Sequence, residues 1–430
     1  MISNSFTVNK KGHLVVGGAD TVVLAQQFGT PLYVFDEAHI RNTITEYQQA
    51  FHTHYNGNAQ VLYASKAFSC KEIYRIMSDL GAGVDVVSGG ELYTALQSGF
   101  QPDNIYFHGN NKTADEIELA IDNKIGRIVV DNVNELDMVD AIAAQHGTIQ
   151  PILLRIKPGI DVHTHNYIRT GQIDSKFGFA LETGEAATVA KKAAAYSHLQ
   201  LVGIHAHIGS QIFELQPFAD CAVTMLQFIK ALTGYGINIT ELNLGGGFGV
   251  KYTEEDDPLA FVDFIACISR TVKDYCADNA MKEPWLLVEP GRSVVAPAGV
   301  TLYTVGSVKE IPGIRTYVSV DGGMTDNPRY ILYGSKYDIL IANKASEPKT
   351  DTVTVAGKCC ESGDLLQENA AIQSPASGDI LAVLSTGAYN YSMASNYNRI
   401  PRPAAVMVRD GVARLIIRRE SYENLVCNDI

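Results

Sequence analysis

The sequence lacks long apolar runs and any excess of positive charge. No stretch approaches the roughly 20 apolar residues that a membrane-spanning helix needs, and the opening segment MISNSFTVNKKGHL has no continuous apolar core of the signal-peptide kind. The 430 residues carry 34 basic and 47 acidic side chains, a formal charge of −13, with no run rich in Lys and Arg. We therefore expect a cytoplasmic protein without membrane or nucleic-acid partners.

Cysteine is sparse, and its placement is irregular. The seven cysteines include the adjacent pair Cys359 and Cys360, and an odd number scattered over a long chain is not typical of a secreted disulfide framework. We expect reduced thiols. An apolar content of 46% is enough for a large core, and the length predicts two domains.

Eight short apolar runs alternate with longer amphipathic segments between residues 60 and 292. They begin at Val61, Val84, Ile105, Arg127, Ile152, Leu201, Thr240 and Trp285. This alternation is typical of parallel strands joined by helices, and eight such units predict a TIM-type (β/α)8 barrel, whose active site lies at the carboxyl ends of its strands. The polar residues found at those ends are Lys66, Ser88, His108, Asp131, Arg155, His207, Glu289 and Arg292.

The pattern changes after residue 293. Strand-like runs follow one another without long helices, which predicts a mainly β C-terminal domain, and the hairpin VMVRDGVARLII has a favoured two-residue turn at Asp410-Gly411. A similar hairpin, FTVNKKGHLVVGG, opens the chain. We predict an N-terminal β segment (residues 1–35) that joins the C-terminal domain, then the barrel (residues 36–293) and the C-terminal β domain (residues 294–430).

Single motifs remain ambiguous. Lys66 in VLYASKAFS could be a surface lysine at a strand end. The glycines of NLGGGFG could form a tight turn or an anion-binding loop. His205 and His207 alternate on one strand and so face the same way; they could begin a metal site, or one imidazole could stack on an aromatic cofactor.

Other motifs also have an ordinary structural interpretation. Glu289 and Arg292 in VEPGRS could simply pair with each other. The second histidine pair, His163 and His165, is interpreted as loop packing. Cys360 in AGKCCESGD could be a free buried cysteine.

The combination of motifs is more specific than any one of them. A lysine able to form a Schiff base, an anion-binding loop, a stacking histidine and a carboxylate for a pyridinium nitrogen are what a pyridoxal phosphate enzyme needs. The motifs YASKAF, HAHIGSQI, NLGGGFG, VEPGRS, KCCESGD and GAYNYSMASNYNRIPRPAAV, in this order along almost the whole chain, resemble those of the fold-type III pyridoxal phosphate decarboxylases. Within that family they are most similar to the branch that converts meso-2,6-diaminopimelate to L-lysine and CO2, the last step of lysine biosynthesis.

The resemblance implies pyridoxal 5′-phosphate as the cofactor. Lys66 is implied to bind it covalently, His207 to stack on its ring, and Glu289 to keep its ring nitrogen protonated. The other cofactor-binding residues that the resemblance implies are Ser210, Gly245, Gly246, Gly247, Gly291, Arg292 and Tyr389.

The resemblance also implies that Cys360 is catalytic and supplies the proton that replaces the lost carboxylate. The implied substrate-binding residues are Arg292, Arg329, Tyr333, Glu361 and Tyr389. A guanidinium suits the distal carboxylate of the substrate, and Glu361 suits its distal ammonium; the related ornithine decarboxylases carry an aspartate at this position. The family builds each active site from two chains, which implies a homodimer with shared sites.

Three alternatives stay open. The first is a family member that acts on a related basic amino acid or a carboxylated polyamine. The second is a barrel metallohydrolase that uses His205 and His207, although we expect no metal. The third is a non-catalytic relative, against which the presence of Lys66, Cys360 and Glu361 argues.

Overall fold

A computed structural model describes residues 2–160 and 175–430. His163 and His165 lie outside the described residues. The chain divides into two compact units: a barrel unit, Thr43–Gly249 with Pro258–Gly291, and a β unit, Met1–Asn42 with Val250–Asp257 and Arg292–Ile430. The domain boundaries at residues 35 and 293 stay a prediction. Among the described helices, none is both long and apolar enough to cross a membrane.

The β unit begins with a small antiparallel sheet and one helix. In chain order its first elements are β1 (Phe6–Val8), β2 (Leu14–Val16), β3 (Ala19–Asp20), α1 (Thr21–Phe28), β4 (Leu32–Asp36) and α2 (Glu37–Tyr55), which continues into the barrel unit. Phe6 pairs with Val16, as the predicted N-terminal hairpin requires. Helix α1 begins where the carboxylate of Asp20 accepts the N–H of Val22, a common N-cap.

Among the described residues, eight strands of the barrel unit lie at the positions of the eight predicted runs and are parallel. The strands of this unit are β5 (Ala59–Ala64), β6 (Gly83–Val86), β7 (Ile105–Phe107), β8 (Arg127–Val130), β9 (Gln150–Lys157), β10 (Phe179–Ala180), β11 (Leu199–His205), β12 (Glu241–Asn243) and β13 (Trp285–Val288). Strand β10 is a short addition beside β9. The other eight pair side by side, and the pairings of β13 with β5 and of β8 with β9 close the ring. The predicted barrel is confirmed.

Helices follow the barrel strands. They are α3 (Lys71–Asp79), α4 (Gly89–Gln97), α5 (Ala114–Asp122), α6 (Val133–Gln145), α7 (Glu185–Ala195), α8 (Gln216–Thr233) and α9 (Phe261–Asp278). Three of them begin at a side-chain cap, which satisfies N–H groups that the helix itself leaves unpaired; the caps are Ser88, Thr113 and Asn132. Between the strands, a buried cluster fills the barrel with Leu62, Tyr106, Val129, Leu153 and Leu287.

The rest of the β unit is mainly strand. Its elements are α10 (Arg292–Val295), β14 (Gly299–Ile311), β15 (Arg315–Val320), α11 (Arg329–Tyr333), β16 (Ile339–Ile341), β17 (Asp351–Ala356), β18 (Leu365–Ile372), β19 (Ile380–Leu384), β20 (Ala404–Arg409), β21 (Val412–Ile417) and α12 (Tyr422–Val426). Strand β4 lies between β14 and β20 in the large sheet. One core joins Phe6 and Leu14 to Val300 and Val406, which confirms that the β domain takes in the N-terminal hairpin.

The last hairpin also has the predicted turn. Asp410 and Gly411 connect β20 to β21 with φ angles of 51° and 77°. Positive φ at both central residues is the conformation of a type I′ turn, which the Asp-Gly pair favours.

Candidate active site

A cavity of about 290 Å³ lies at the carboxyl ends of the barrel strands. Its size is close to the lower end, about 300 Å³, of typical small-molecule sites. Its lining includes Lys66, Asp85, His108, Arg155, Phe177, His205, His207 and Glu289. The structure therefore brings together three residues predicted for the cofactor, Lys66, His207 and Glu289, in one concave site.

Lys66 lies in a short turn, Ser65–Ala67, directly after β5. Its flanking sequence is apolar, which suggests an apolar pocket for the amine. The structure differs: the side chain is exposed at the cavity, whose lining also contains the polar groups of Asp85, His108 and Glu289. The apolar neighbours of Lys66 in sequence, Ala67 and Phe68, are buried instead. The amine is therefore accessible to a ligand in the cavity.

Glu289 follows β13 and is buried among polar side chains. Its Oε1 lies 2.7 Å from Nδ2 of Asn243 and 2.8 Å from Nε2 of His108, and its Oε2 lies 3.2 Å from Nε2 of His205. Burial would raise the pKa of this carboxyl, but the adjacent His108 and His205 lower it well below the usual value. Glu289 is therefore an anion in the lining of the cavity.

The two histidines of HAHIGSQI are neutral. Burial lowers the pKa of His205 to about 4. Burial and the charges of Lys66 and Arg155 lower the pKa of His207 well below its usual value. Nδ1 of His207 accepts the N–H of Gly246 at 3.3 Å, so this nitrogen carries no proton. The loop thereby fixes the tautomer of His207, the ring that is predicted to stack on the cofactor.

The glycine loop, residues 245–247, follows β12 and packs against Glu289. Gly245 and Gly247 have φ angles of 68° and 109°, which favour glycine. A Cβ at Gly246 would lie 2.2 Å from the carbonyl oxygen of Glu289. The N–H of Gly245 already donates to Oδ1 of Asn243 at 2.9 Å, and that of Gly246 to His207. Among the described residues the N–H of Gly247 has no such acceptor, so it is the loop donor left for an anion.

Two more residues predicted for the cofactor belong to the barrel unit. Ser210 is half-buried, three residues after His207. Gly291 lies against β5, where an added Cβ would be 2.8 Å from the Cβ of Ala64. Only a residue without a side chain fits at this position.

The cavity lining includes Asp85, which is not among the predicted site residues. Asp85 is buried within β6, and burial raises its pKa to about 6. Ser88, the polar residue expected at this strand end, instead accepts the N–H of Glu91 and caps α4. The sequence does offer a signal for Asp85, because it is the single acidic residue inside the apolar run VDVVS. Asn243, which contacts Glu289, is not among the predicted site residues either. Its signal is that it is the one amide side chain in ELNLGGG.

Three of these side chains could hold a metal ion. The ligand atoms of His108, His205 and Glu289 all lie within 4.8 Å of one another. This set differs from the one considered above, because His108 takes the place of His207. The carboxylate also accepts a hydrogen bond from Asn243, which leaves it fewer free lone pairs for a metal.

Four of the predicted substrate-binding residues meet in the β unit. Arg292 and Arg329 are buried, and their guanidinium groups lie 4.7 and 4.9 Å from the ring centre of Tyr389. Arg329 lies at the same distance, 4.9 Å, from the ring of Tyr333, and Arg292 donates to the hydroxyl of Tyr252 at 2.8 Å. Nε of Arg329 is buried and has no hydrogen-bond partner among the described residues. This cluster suits an anionic ligand group.

The remaining predicted residues, Cys360 and Glu361, are exposed in a loop between β17 and β18. Cys360 donates its N–H to Oδ1 of Asn398 at 2.8 Å. The adjacent Cys359 is buried, and burial raises the pKa of its thiol to about 11. Only Cys360 of the pair therefore presents its side chain to solvent.

One carboxylate fixes this cysteine loop. Asp364 accepts the N–H of Cys359 at 2.7 Å and that of Met324 at 2.6 Å. Gly323 and Gly357 leave the space it needs, because a Cβ at either would lie within 2.5 Å of a carboxylate oxygen. The loop is thus tied to the turn that precedes α11.

Comparison with known proteins agrees with this geometry. Residues 37–296 match the family described as pyridoxal-dependent decarboxylase, pyridoxal binding domain. The chain belongs to the diaminopimelate decarboxylase family of pyridoxal-dependent decarboxylases. The diaminopimelate decarboxylase of Halalkalibacterium halodurans is 50% identical over 424 residues, 98% of this chain and 96% of the relative. That of Bacillus subtilis is 48% identical over 423 residues, with the same shares.

A solved structure supports the same family. Diaminopimelate decarboxylase from M. jannaschii, in complex with L-lysine, superposes with a TM-score of 0.93 at 35% identity. The match covers 100% of this chain and 98% of that one. The family predicted from the motifs is confirmed over the whole length, which includes both units.

Proposed function

We propose that this protein decarboxylates meso-2,6-diaminopimelate to L-lysine and CO2 with pyridoxal 5′-phosphate as cofactor. The observation that carries the proposal is the meeting of Lys66, His207 and Glu289 in one barrel cavity, in a chain that aligns along its length with relatives of this activity. The reaction is the last step of lysine biosynthesis, and we place it in the cytoplasm.

The barrel cavity has the chemistry that the cofactor requires. Glu289 is a buried carboxylate suited to a protonated ring nitrogen, and the Lys66 amine is accessible. The N–H groups of Gly245 and Gly246 donate to Asn243 and His207, and we assign the N–H of Gly247 to the phosphate. When bound, the cofactor supplies an electron sink for the pair left by the departing carboxylate. The predicted roles of Ser210, Gly291 and Tyr389 as further cofactor ligands belong to this proposal.

We assign recognition of the distal end of the substrate to Arg292, Arg329 and Tyr333, with Glu361 for the distal ammonium. The buried, unsatisfied Nε of Arg329 supports this assignment, since a carboxylate would supply the missing acceptor. Ornithine and arginine have no distal carboxylate, so they would leave Nε of Arg329 without a hydrogen-bond acceptor. This difference favours diaminopimelate over the related basic amino acids.

We assign the proton that replaces the lost carboxylate to the thiol of Cys360. The exposure of Cys360 supports this assignment, because the adjacent Cys359 is buried. An exposed thiol must be covered before it can act in a water-free site, which fits a homodimer in which each chain contributes to the site of its partner.

A substrate panel tests the proposal. Purified protein with pyridoxal 5′-phosphate should release CO2 and L-lysine from meso-diaminopimelate and leave ornithine, arginine and carboxylated polyamines nearly unchanged. Preferential turnover of ornithine, arginine or a carboxylated polyamine would overturn the substrate assignment.

Borohydride reduction and peptide mapping should place the phosphopyridoxyl group on Lys66. A chelator should leave the activity intact; its loss would instead favour a metal at His108, His205 and Glu289.

A further inference from the structure

We infer that Asn243 is a positioning residue that couples the glycine loop, residues 245–247, to the carboxylate of Glu289. One rigid assembly would then hold both the anionic group and the ring of the cofactor. The inference rests on the proposed function, because it concerns how this chain presents its own groups to pyridoxal phosphate.

The geometry around Asn243 carries the argument. This residue ends β12 and is completely buried. Its Oδ1 accepts the N–H of Gly245 at 2.9 Å, and its Nδ2 donates to Oε1 of Glu289 at 2.7 Å. The two ends of an amide are not interchangeable, so the bond to Gly245 directs the NH2 group to Glu289. A single side chain therefore sets the start of the loop and holds the carboxylate.

The backbone reinforces this connection. The N–H of Glu289 donates to the carbonyl oxygen of Gly245 at 2.8 Å. Gly246 approaches the carbonyl oxygen of Glu289 so closely that an added Cβ would be 2.2 Å away. In so dense a contact, a displacement of the loop moves Glu289 as well.

Asn243 also matters for the charge of Glu289. A buried carboxylate remains ionised only where donors replace its hydration. Among the described residues, the ionisable groups that pair with it are His108 and His205, while Lys66, Asp85, Arg155 and His207 line the same cavity. His205 is neutral near pH 7. Asn243 thus provides the shortest contact to Glu289, and it does so without a charge of its own.

Two variants and one control separate this role from simple support of the fold. Asn243→Leu removes both hydrogen bonds and keeps the branching of the side chain. Asn243→Asp keeps the acceptor for Gly245 but donates to Glu289 only while protonated. The control is Asn123→Leu, because Asn123 lies in the same unit and donates to Leu119 at the end of α5. The readouts are the dissociation constant of pyridoxal 5′-phosphate and the pH dependence of the visible absorption of the bound cofactor.

We expect Asn243→Leu to bind pyridoxal phosphate at least about tenfold more weakly than the control, since it loses a hydrogen bond to a charged group. Its absorption should change with pH between about 6 and 9, where that of the wild-type protein is constant, because the ring nitrogen loses its proton more readily. The affinity of Asn243→Asp should fall as the pH rises through the same range.

Each other result contradicts the inference. Asn243→Leu behaving like Asn123→Leu would overturn it. Weaker binding with an unchanged absorption profile would show that Asn243 shapes the loop without acting on Glu289. If Asn243→Leu does not fold, the pH dependence of Asn243→Asp decides. Failure of the wild-type protein to bind pyridoxal phosphate would instead reject the proposed function, and that outcome is seen before any variant is made.

Discussion

Asp364 holds Cys359 in place: Oδ2 of the carboxylate accepts the backbone N–H of Cys359 at 2.7 Å. The other oxygen accepts the N–H of Met324 at 2.6 Å. In Asp364→Asn, an NH2 group must face one of these two donors, so one bond is replaced by a repulsive contact. The loop that carries Cys360 should then open locally, and buried Cys359 should become accessible.

We expect Cys359 to react with iodoacetamide at least about tenfold faster in Asp364→Asn, as the loss of a bond to a charged group implies. The experiment is done in a Cys360→Ser background and read by mass spectrometry of the peptide that contains Cys359. Asp351→Asn, in β17 of the same unit, is the control. Equal rates in the two variants would show that Asp364 does not restrain the loop.

Cys360→Ala should remove turnover while leaving the cofactor bound. Loss of a positioned proton donor lowers a rate by about a hundredfold or more, whereas the cavity that contains Lys66 and Glu289 is built without this loop. Steady-state release of L-lysine and a titration with pyridoxal phosphate measure the two effects. Cys427→Ala, at another exposed cysteine, should change neither the rate of L-lysine release nor the binding of pyridoxal phosphate. Normal turnover by Cys360→Ala would exclude it as the donor.

The ion pair of Lys112 and Glu135 is buried in the barrel unit, with Nζ and Oε1 2.7 Å apart. Lys112→Met would leave the Glu135 carboxylate without its counter-charge, which typically costs about 3–5 kcal/mol. Urea unfolding followed by circular dichroism measures the loss. Lys192→Met breaks the solvent-exposed pair with Asp137 and should change stability little. A similar, small effect of both substitutions would mean that water reaches the buried pair.

Asp326 should make stability fall as pH rises. Burial raises its pKa from 3.8 to about 7, so between these values the native state binds a proton that the unfolded chain has released. Stability due to this group is therefore complete at about pH 4 and is lost towards about pH 7. Asn cannot titrate, so the stability of Asp326→Asn relative to wild type should increase over this interval by up to about 4 kcal/mol. Urea unfolding at several pH values tests this, and a difference that does not vary with pH would contradict it.

Much of the barrel could be predicted because its strands are buried on both faces and appear as short apolar runs. All eight strands lie at the predicted positions. The turn at Asp410-Gly411 was also predictable, since its conformation is local and depends on two residues. Such features need no knowledge of distant contacts.

The contacts that the polar side chains around the cavity make with one another could not be predicted from periodicity. His108 and Asn243 are 135 positions apart, yet both approach one oxygen of Glu289. Their meeting depends on the closure of the ring, which sequence spacing does not encode. Ser88 is the opposite case, a residue expected at the site that has another role. It caps α4, and the sequence alone does not distinguish a serine that caps a helix from one that lies in a site.

The space around Asp364 has an evolutionary consequence. Gly357 has an ordinary backbone conformation, so what its position demands is volume: a Cβ there would lie 2.2 Å from the Asp364 carboxylate. A Cβ at Gly323 would lie 2.5 Å from Oδ1 of the same carboxylate, but there the φ of 157° also favours glycine. Positions 357 and 364 should therefore change together among descendants of this chain, with alanine tolerated at residue 357 only where a shorter side chain has first replaced the aspartate.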